Sequence, residues 1–256
     1  MKCDWTIIPN IDEIEGFLEL ADRYGAAFEY NEFFEPKIYE DKDETRRVIE
    51  FYKSLDRDRS RDTLHGVFYD ISAMSNDSYI RDYSRKRMEE SLDIADELDC
   101  KGVVFHTGLV AGLNMEAYLS NWLTGMIPYL KSLAEKHKNL QIYIENTFEY
   151  GPDVFVRLME SMRDTPNVKL CLDYAHATLT RTDTTEWFEA FRPYLGHIHI
   201  NDNDLKADLH LAVGDGKIDY GIFKSLMDKE PVNARVLVEV NGLGKAAVSL
   251  QHLTKL

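Results

Sequence analysis

Cysteine is scarce in this sequence of 256 residues, and the three that occur, Cys3, Cys100 and Cys171, stand far apart. Their odd number and wide spacing argue against a disulfide framework and a thiolate metal site, and such reduced thiols are typical of cytoplasmic proteins. No run of 18 or more apolar residues is present, and the first residues lack the pattern of a secretory signal. We therefore expect a cytoplasmic protein that has no membrane partner.

Positive charge is also in short supply. The sequence has 30 Lys and Arg against 45 Asp and Glu, for a formal net charge of -15. Because Lys and Arg supply most of the affinity for phosphate backbones, this balance argues against nucleic acid as a partner. Bound divalent cations would offset part of the negative charge. Composition does not decide between a monomer and a homo-oligomer.

Linkers and low-complexity segments are missing, and short apolar runs alternate with longer segments of helical spacing. The predicted strands lie at about 5–9, 27–31, 63–68, 101–106, 140–145, 168–173, 196–200 and 235–240. The predicted helices lie at about 11–24, 43–56, 79–99, 114–137, 152–163, 183–192, 219–228 and 244–255. Eight such units predict an α/β fold, a (β/α)8 TIM barrel forming one domain over residues 1–256. A doubly wound open sheet is the alternative, but it usually opens with a Gly-rich phosphate loop, and Ile8-Pro9-Asn10 stands there instead.

Several of the apolar strands end in a polar residue. The fourth ends in His106, the fifth in Glu145, the sixth in Asp173 and the eighth in Glu239. In a barrel, the carboxyl ends of all strands meet at one face, and that face carries the active site. The pattern therefore predicts a functional site at this end of the barrel.

Three local spacings indicate the chemistry of that site. Asp173 precedes His176 by three residues, and the pairs His197/His199 and Asp208/His210 are each two residues apart. Residues two apart in a strand share one side. Carboxylate and imidazole groups are ligands that zinc, manganese and related divalent ions accept. We interpret His197 as a core histidine rather than a ligand.

The motifs, taken in order, resemble those of the xylose isomerase-like barrels, a superfamily of sugar isomerases, sugar epimerases and the endonuclease IV group. The resemblance runs from about residue 25 to the C-terminus. It rests on His65-Gly66-Val67-Phe68, His106-Thr107-Gly108, Glu145-Asn146-Thr147, Asp173 to His176, His199-Ile200-Asn201-Asp202, Asp208-Leu209-His210 and Val238-Glu239.

Similarity to the isomerases and epimerases implies one ion held by Glu145, Asp173, His199 and Glu239. In that chemistry, the ion acidifies a C–H bond of a hydroxy-ketose and stabilises an enediolate. The resemblance makes Glu145 and Glu239 the candidate proton-transfer groups, and His176 would orient a substrate oxygen. The candidate substrate-binding residues are Phe33, Phe68 and Asn146.

Similarity to the endonuclease IV group implies a larger set that holds three zinc ions. His65, His106 and Glu145 would hold one ion, and the four residues of the isomerase set would hold a second. His176, Asp208 and His210 would hold a third. Such a cluster would activate a hydroxide for cleavage of a phosphoester, including abasic-site DNA. The cofactor expected is therefore zinc or manganese, as one to three ions.

The loops that follow the strands favour a small, sugar-like substrate. Residues 31–41 are acidic, and residues 107–115 and 146–153 contain no Lys or Arg, although a nuclease needs basic groups to seat DNA. One departure weakens the epimerase match, because Leu205 stands where a substrate-binding Arg often occurs. We expect an isomerase or epimerase acting on a sugar, sugar phosphate or related polyol. The endonuclease IV-like hydrolase is the alternative, and another lyase-type reaction or a barrel without catalysis also stays open.

Overall fold

A computed structural model describes residues 1 and 3–256 of the chain. Within this part, eight strands join in chain order into a closed parallel barrel. This confirms the expected α/β class and the (β/α)8 fold. The strands are β1 Asp4–Ile7, β2 Ala27–Tyr30, β3 Thr63–His65, β4 Gly102–His106, β5 Gln141–Glu145, β6 Val168–Asp173, β7 Leu195–Ile200 and β8 Arg235–Val238.

The helices follow the expected alternation. Those of the described residues are α1 Ile14–Tyr24, α2 Pro36–Tyr39, α3 Lys42–Ser54, α4 Ser78–Glu97, α5 Glu116–Lys136, α6 Asp153–Glu160, α7 Tyr174–Thr178, α8 Thr184–Phe191, α9 Tyr220–Lys229 and α10 Leu243–Lys255. The short helices α2 and α7 lie in loops and have no counterpart in the sequence prediction, because four or five residues are too few to show a helical period. No helix among the described residues is long and apolar enough to cross a membrane.

Aspartate side chains fix where many of these helices begin. Asp41, Asp77, Asp183 and Asp219 each accept a hydrogen bond from a backbone N–H in the first turn of α3, α4, α8 and α9. Such caps satisfy donors that the helix itself leaves without a carbonyl partner.

The chain divides into two compact units. The first comprises Met1–Glu29, Glu145–Val156 and Leu170–Leu256. In it, β1 pairs with β2 and β8, and β7 pairs with β6 and β8. The register places Asp173 directly beside His199. Behind the strands, the rings of Phe155, Trp187 and Phe191 pack within 5.8 Å of one another.

The second unit comprises Tyr30–Ile144 and Arg157–Lys169. Its strands β3 and β4 are parallel, with His65 beside Val104. The buried Tyr30 hydroxyl donates to Asp62 at 2.6 Å, and Arg57 forms an ion pair with the same carboxylate. The expectation of one domain over residues 1–256 stays a prediction.

Candidate metal centre

Four acidic and imidazole side chains of the first unit come together at the ends of the strands. Glu145 and Asp173 are the last residues of β5 and β6, His199 lies in β7, and Glu239 follows β8. Each offers one ligand atom, and these atoms all lie within 4.8 Å of one another. All four residues are buried. The structure thus brings together the whole set that the isomerase resemblance implies.

Asn146 fixes the position of Asp173. Its side-chain amide donates to the Asp173 carbonyl at 3.0 Å and accepts from the Asp173 N–H at 2.8 Å. Asp173 then uses Oδ1 to cap α7, accepting from the His176 N–H at 2.7 Å. Its Oδ2 faces the His176 ring at 3.1 Å. Asn146 therefore holds a strand end, and its substrate-binding role stays a prediction.

A second group, formed by His176, Asp208 and His210, lies next to the first. Nε2 of His176 and Nε2 of His210 lie 3.3 and 3.1 Å from the same oxygen, Asp208 Oδ2. On the far side of each ring, Nδ1 lies 3.0 Å from a backbone carbonyl, that of Asn146 or of Glu239. A carbonyl only accepts, so each Nδ1 donates to its carbonyl, and in the metal-free chain each Nε2 donates to Asp208 Oδ2. Loss of the Nε2 proton would free a lone pair on each ring for an ion beside Asp208.

The loop that carries Asp208 and His210 is held by a buried carboxylate, Asp202. Its oxygens accept from the Gly214 N–H at 2.9 Å and the Ile218 N–H at 3.0 Å. Its backbone also pairs with Leu211. We call residues 203–218 the Asp202 loop. The Asn203 N–H, at the start of the loop, also donates to Asp202 at 2.9 Å. Because both ends of this loop are anchored on one side chain, the loop presents its two ligand candidates in a defined place.

Electrostatics in the first group indicate that it is built to surround positive charge. Burial, together with the negative charges of Glu239 and Glu145, raises the pKa of Asp173 to about 8 against the lowering effect of His176. Burial also acts on Glu239, but the charge of His199 holds its pKa at about 2. Without a cation, the chain must place protons on Asp173 or on the histidines to limit repulsion.

The histidines respond in the same way. Burial opposes the charged form of His176 and of His199, yet the surrounding carboxylates raise the pKa of both rings well above the ordinary value. In the second group, burial again opposes the charged form, and Asp208 and Glu239 raise the pKa of His210 to about 10. A bound divalent ion would take over the role of these protons, since ligands bind metals in their deprotonated forms.

The residues of both groups therefore fit divalent ions. The donors are carboxylate oxygens and imidazole nitrogens, which suit zinc and manganese. Glu145, Asp173, His199 and Glu239 would hold one ion, and His176, Asp208 and His210 would hold another.

The remaining predicted site residues lie in the second unit. The rings of His65 and His106 are 5.2 Å apart, and Phe68 packs 5.2 Å from the first ring and 4.7 Å from the second. Phe33 is fully buried. The metal-binding role of the two histidines and the substrate-binding role of the two phenylalanines stay predictions.

Sequence reasoning missed two buried residues beside the first group. Glu29 lies in β2 with its carboxylate against the rings of His197 and His199, and Cys171 lies in β6 next to His199. A charged residue inside the otherwise apolar strand Ala27–Tyr30 was the available signal for Glu29. For Cys171 there was none, because a buried thiol in a strand is ordinary.

The comparisons identify the family. The sequence model of the xylose isomerase-like TIM barrel family matches residues 18–256, so the chain belongs to that family. An uncharacterized protein of Methanocaldococcus jannaschii is 31% identical over 180 residues, which is 70% of this chain and 69% of that protein. A probable endonuclease 4 of Mycobacterium leprae is 28% identical over 165 residues, covering 59% of this chain and 62% of that protein, less than two thirds of its length.

Solved structures share the fold. The TTHB071 protein from Thermus thermophilus, soaked with ZnCl2, has a TM-score of 0.79 at 22% identity and covers 100% of this chain and 97% of its own. A D-tagatose 3-epimerase-like protein has a TM-score of 0.78 at 20% identity, and the match covers 98% of this chain and 96% of that protein. The fold is therefore one that sugar epimerases use, and weaker sequence relatives are endonuclease 4 proteins.

Proposed function

We propose that this protein is a divalent-metal-dependent enzyme that isomerises or epimerises a sugar, sugar phosphate or related polyol by proton transfer. The observation that carries the proposal is the buried group of Glu145, Asp173, His199 and Glu239. It combines ligands for one ion with two glutamates that come from different strand ends. Two carboxylates beside one ion are what removal and return of a proton require.

Each residue has a task that follows from its surroundings. A divalent ion held by this group supplies the positive charge that acidifies a C–H bond beside a carbonyl. Glu239, with a pKa of about 2, is ionised at neutral pH and can accept the proton. Glu145, when it carries a proton of its own, can donate that proton to the same or the adjacent carbon, and exchange with solvent then returns both glutamates to their starting protonation states. His176, whose ring reaches both Asp173 and Asp208, can donate to a substrate oxygen.

The substrate-facing surroundings suit a small molecule. The ring of Phe148 lies 5.1 Å from the ring of His176 and is about half exposed. An exposed ring beside a polar group can pack against the apolar C–H face of a sugar. The formal charge of -15 also disfavours a long polyanion.

Exchange of substrate protons with solvent tests the proposal. Purified protein loaded with Zn²⁺ or Mn²⁺ is incubated in D2O with a panel of ketoses and ketose phosphates, and deuterium incorporation is followed by NMR. We expect metal-dependent exchange at a carbon beside the carbonyl for at least one member. Glu239→Gln should slow it by about 10²-fold or more, because it removes a candidate base and a ligand charge.

The matched control is Glu15→Gln, the same chemical change on the exposed face of α1. It should leave the exchange rate unchanged. Absence of exchange across the panel, in protein shown to carry metal, would contradict the proposal.

The second group of ligands favours one other function. A sugar isomerase site needs one ion, yet His176, Asp208 and His210 form a further set with converging Nε2 atoms. Metal-dependent hydrolysis of a phosphoester would use two or three ions together. Incision of an abasic-site oligonucleotide by the metal-loaded protein, lost in His210→Ala, would replace the isomerase proposal with this one.

A further inference from the structure

Glu29 is a buried carboxylate that lies outside both groups of ligand candidates but contacts one of them. It lies near the end of β2 and has no exposed surface. The two histidines beside it, His197 and His199, are equally buried. Its Oε2 lies 2.9 Å from Nε2 of His197, and its Oε1 lies 3.3 Å from Nε2 of His199. One carboxylate thus contacts the Nε2 atoms of two histidine rings, with one oxygen for each ring, and the two histidines are two residues apart in β7.

The other nitrogen of His199 points towards the first group. Its Nδ1 lies 3.5 Å from Glu145 Oε1 and 3.5 Å from Glu239 Oε1. The ring therefore stands between Glu29 on one side and the ligand candidates on the other. An ionised carboxylate accepts hydrogen bonds and cannot donate, so Nε2 of His199 must carry the proton when the two bond. The lone pair of the neutral ring is then at Nδ1.

We propose that Glu29 is a positioning residue that fixes the tautomer and orientation of His199, so that His199 binds the ion through Nδ1. His197 completes the arrangement, because its Nε2–H occupies the second oxygen of Glu29 and stops the carboxylate from turning towards the ion. Carboxylate–histidine pairs of this kind raise the basicity of a ligand and commonly contribute about 10- to 100-fold in metal affinity. The inference rests on the metal site of the proposed function.

Glu29, His197 and His199 also lie close enough together to hold an ion, but their contacts favour a positioning role for Glu29. Both of its oxygens face ring nitrogens at 2.9 and 3.3 Å, on the side of His199 away from Glu145 and Glu239. An ion bound to Glu29 would need the Nε2 lone pairs of His197 and His199, whereas Nε2 of His197 is hydrogen-bonded to Glu29 Oε2 and Nε2 of His199 faces Oε1 at 3.3 Å. Glu29 therefore acts on the ion through His199.

Zinc affinity, measured by competition with a chromophoric chelator, tests the role of the carboxylate. Glu29→Gln keeps the size of the side chain but replaces one acceptor oxygen by an NH2 donor, so one ring loses its partner. We expect the Kd for zinc at the first group to rise about 10- to 100-fold, with metal-free protein still folded by circular dichroism. The control is Thr6→Val, an isosteric change at a buried position of the neighbouring strand β1, which should leave the Kd unchanged.

The wild-type protein gives a second test that needs no stable Glu29 variant. With ¹⁵N-labelled histidine and bound ¹¹³Cd²⁺, we expect cadmium coupling at Nδ1 of His199 and a retained proton at its Nε2. The signal is assigned by its absence in His199→Gln. His176 and His210, whose Nδ1 atoms face carbonyls, should couple through Nε2 instead.

Three outcomes would overturn the inference. One is coupling through Nε2 of His199, and another is an unchanged Kd in Glu29→Gln. The third is that Glu29→Gln binds one ion fewer than the wild-type protein and binds the remaining ions as tightly as before. That result would make Glu29 a metal ligand. None of these requires turnover, so wild-type protein that binds the ion but shows no proton exchange would contradict only the proposed function.

Discussion

Asp173 uses its two oxygens for different contacts. Oδ1 caps α7 through the His176 N–H, and Oδ2 faces the His176 ring within the first group of ligand candidates. A single residue thus joins the start of a helix to the site. The arrangement is costly in metal-free protein, because burial and two nearby glutamates all oppose the ionised form of Asp173.

This cost predicts how metal-free protein responds to pH. The pKa of Asp173 is raised from 3.8 to about 8, so its contribution to stability is complete below about pH 4 and is lost as pH rises through 8. The raised pKa values of His176 and His199 act in the same direction above pH 6.5. We expect the Tm of the protein in EDTA, measured by calorimetry, to decrease as the pH is raised from 5 to 8.5.

Asp173→Asn separates this effect from the general repulsion of an acidic protein. The amide oxygen can still cap α7, but the residue no longer ionises, so the Tm should fall less steeply over the same range. A wild-type Tm that rises or stays level in EDTA over this range would show that the first group does not carry the expected repulsion.

At the scale of elements, the Asp202 loop decides whether the second group exists. Asp202 is buried and accepts hydrogen bonds from the Asn203 N–H at the start of the loop and from the Gly214 and Ile218 N–H groups towards its end. Gly216 lies against this carboxylate, and a Cβ there would overlap Asp202 Oδ1 and lie 2.5 Å from the Asn203 carbonyl. The loop must therefore close tightly around Asp202, which a larger residue at position 216 would prevent.

Gly216→Ala should open the loop and weaken the second group. We expect a loss of about 1–3 kcal/mol in the free energy of unfolding, typical of overpacking, and weaker metal binding by His176, Asp208 and His210. Denaturant unfolding and metal analysis after dialysis measure the two effects. Gly244→Ala in α10 is the control, because a Cβ there meets nothing within 4 Å. It should keep or slightly raise stability. If Gly216→Ala and Gly244→Ala changed stability and metal binding equally, the tight closure of the Asp202 loop around Asp202 would be ruled out.

At the scale of the whole molecule, the formal charge of -15 and the buried carboxylates make cation binding and folding interdependent. An ion that binds only the folded chain stabilises it by an amount that grows with the ratio of its concentration to Kd. The ion would also replace protons that the site otherwise holds. Stability and metal content should therefore change together.

Removal of the ion should lower the stability of the wild-type protein. At 100 times Kd, binding contributes about 2.7 kcal/mol, which for a chain of this size corresponds to roughly 5–10 °C in Tm. Thermal unfolding with saturating Zn²⁺ and with EDTA, with metal content verified, measures the difference. Glu239→Gln should show a smaller difference. An unchanged wild-type Tm after verified metal loss would contradict a metal site in the first group.

The sequence by itself determined the barrel. Periodicity placed β6 at Val168–Asp173 and β4 at Gly102–His106 almost to the residue, because strands covered on both faces must be apolar and the polar residue that ends them is conspicuous. The polar strand ends also located the candidate site, since parallel strands bring their carboxyl ends to one face. The resemblance of the motifs to the xylose isomerase-like barrels then implied the two ligand sets.

Only the tertiary structure decided how those side chains are held. Glu29 and His199 are 170 residues apart in the chain, and no local pattern shows that a carboxylate in β2 meets a ring in β7. The same is true of Asn146 on the backbone of Asp173, and of the two carbonyls that orient His176 and His210. Hydrogen bonds across a barrel depend on register and on depth along each strand. A linear sequence specifies both only through the complete packing of the core.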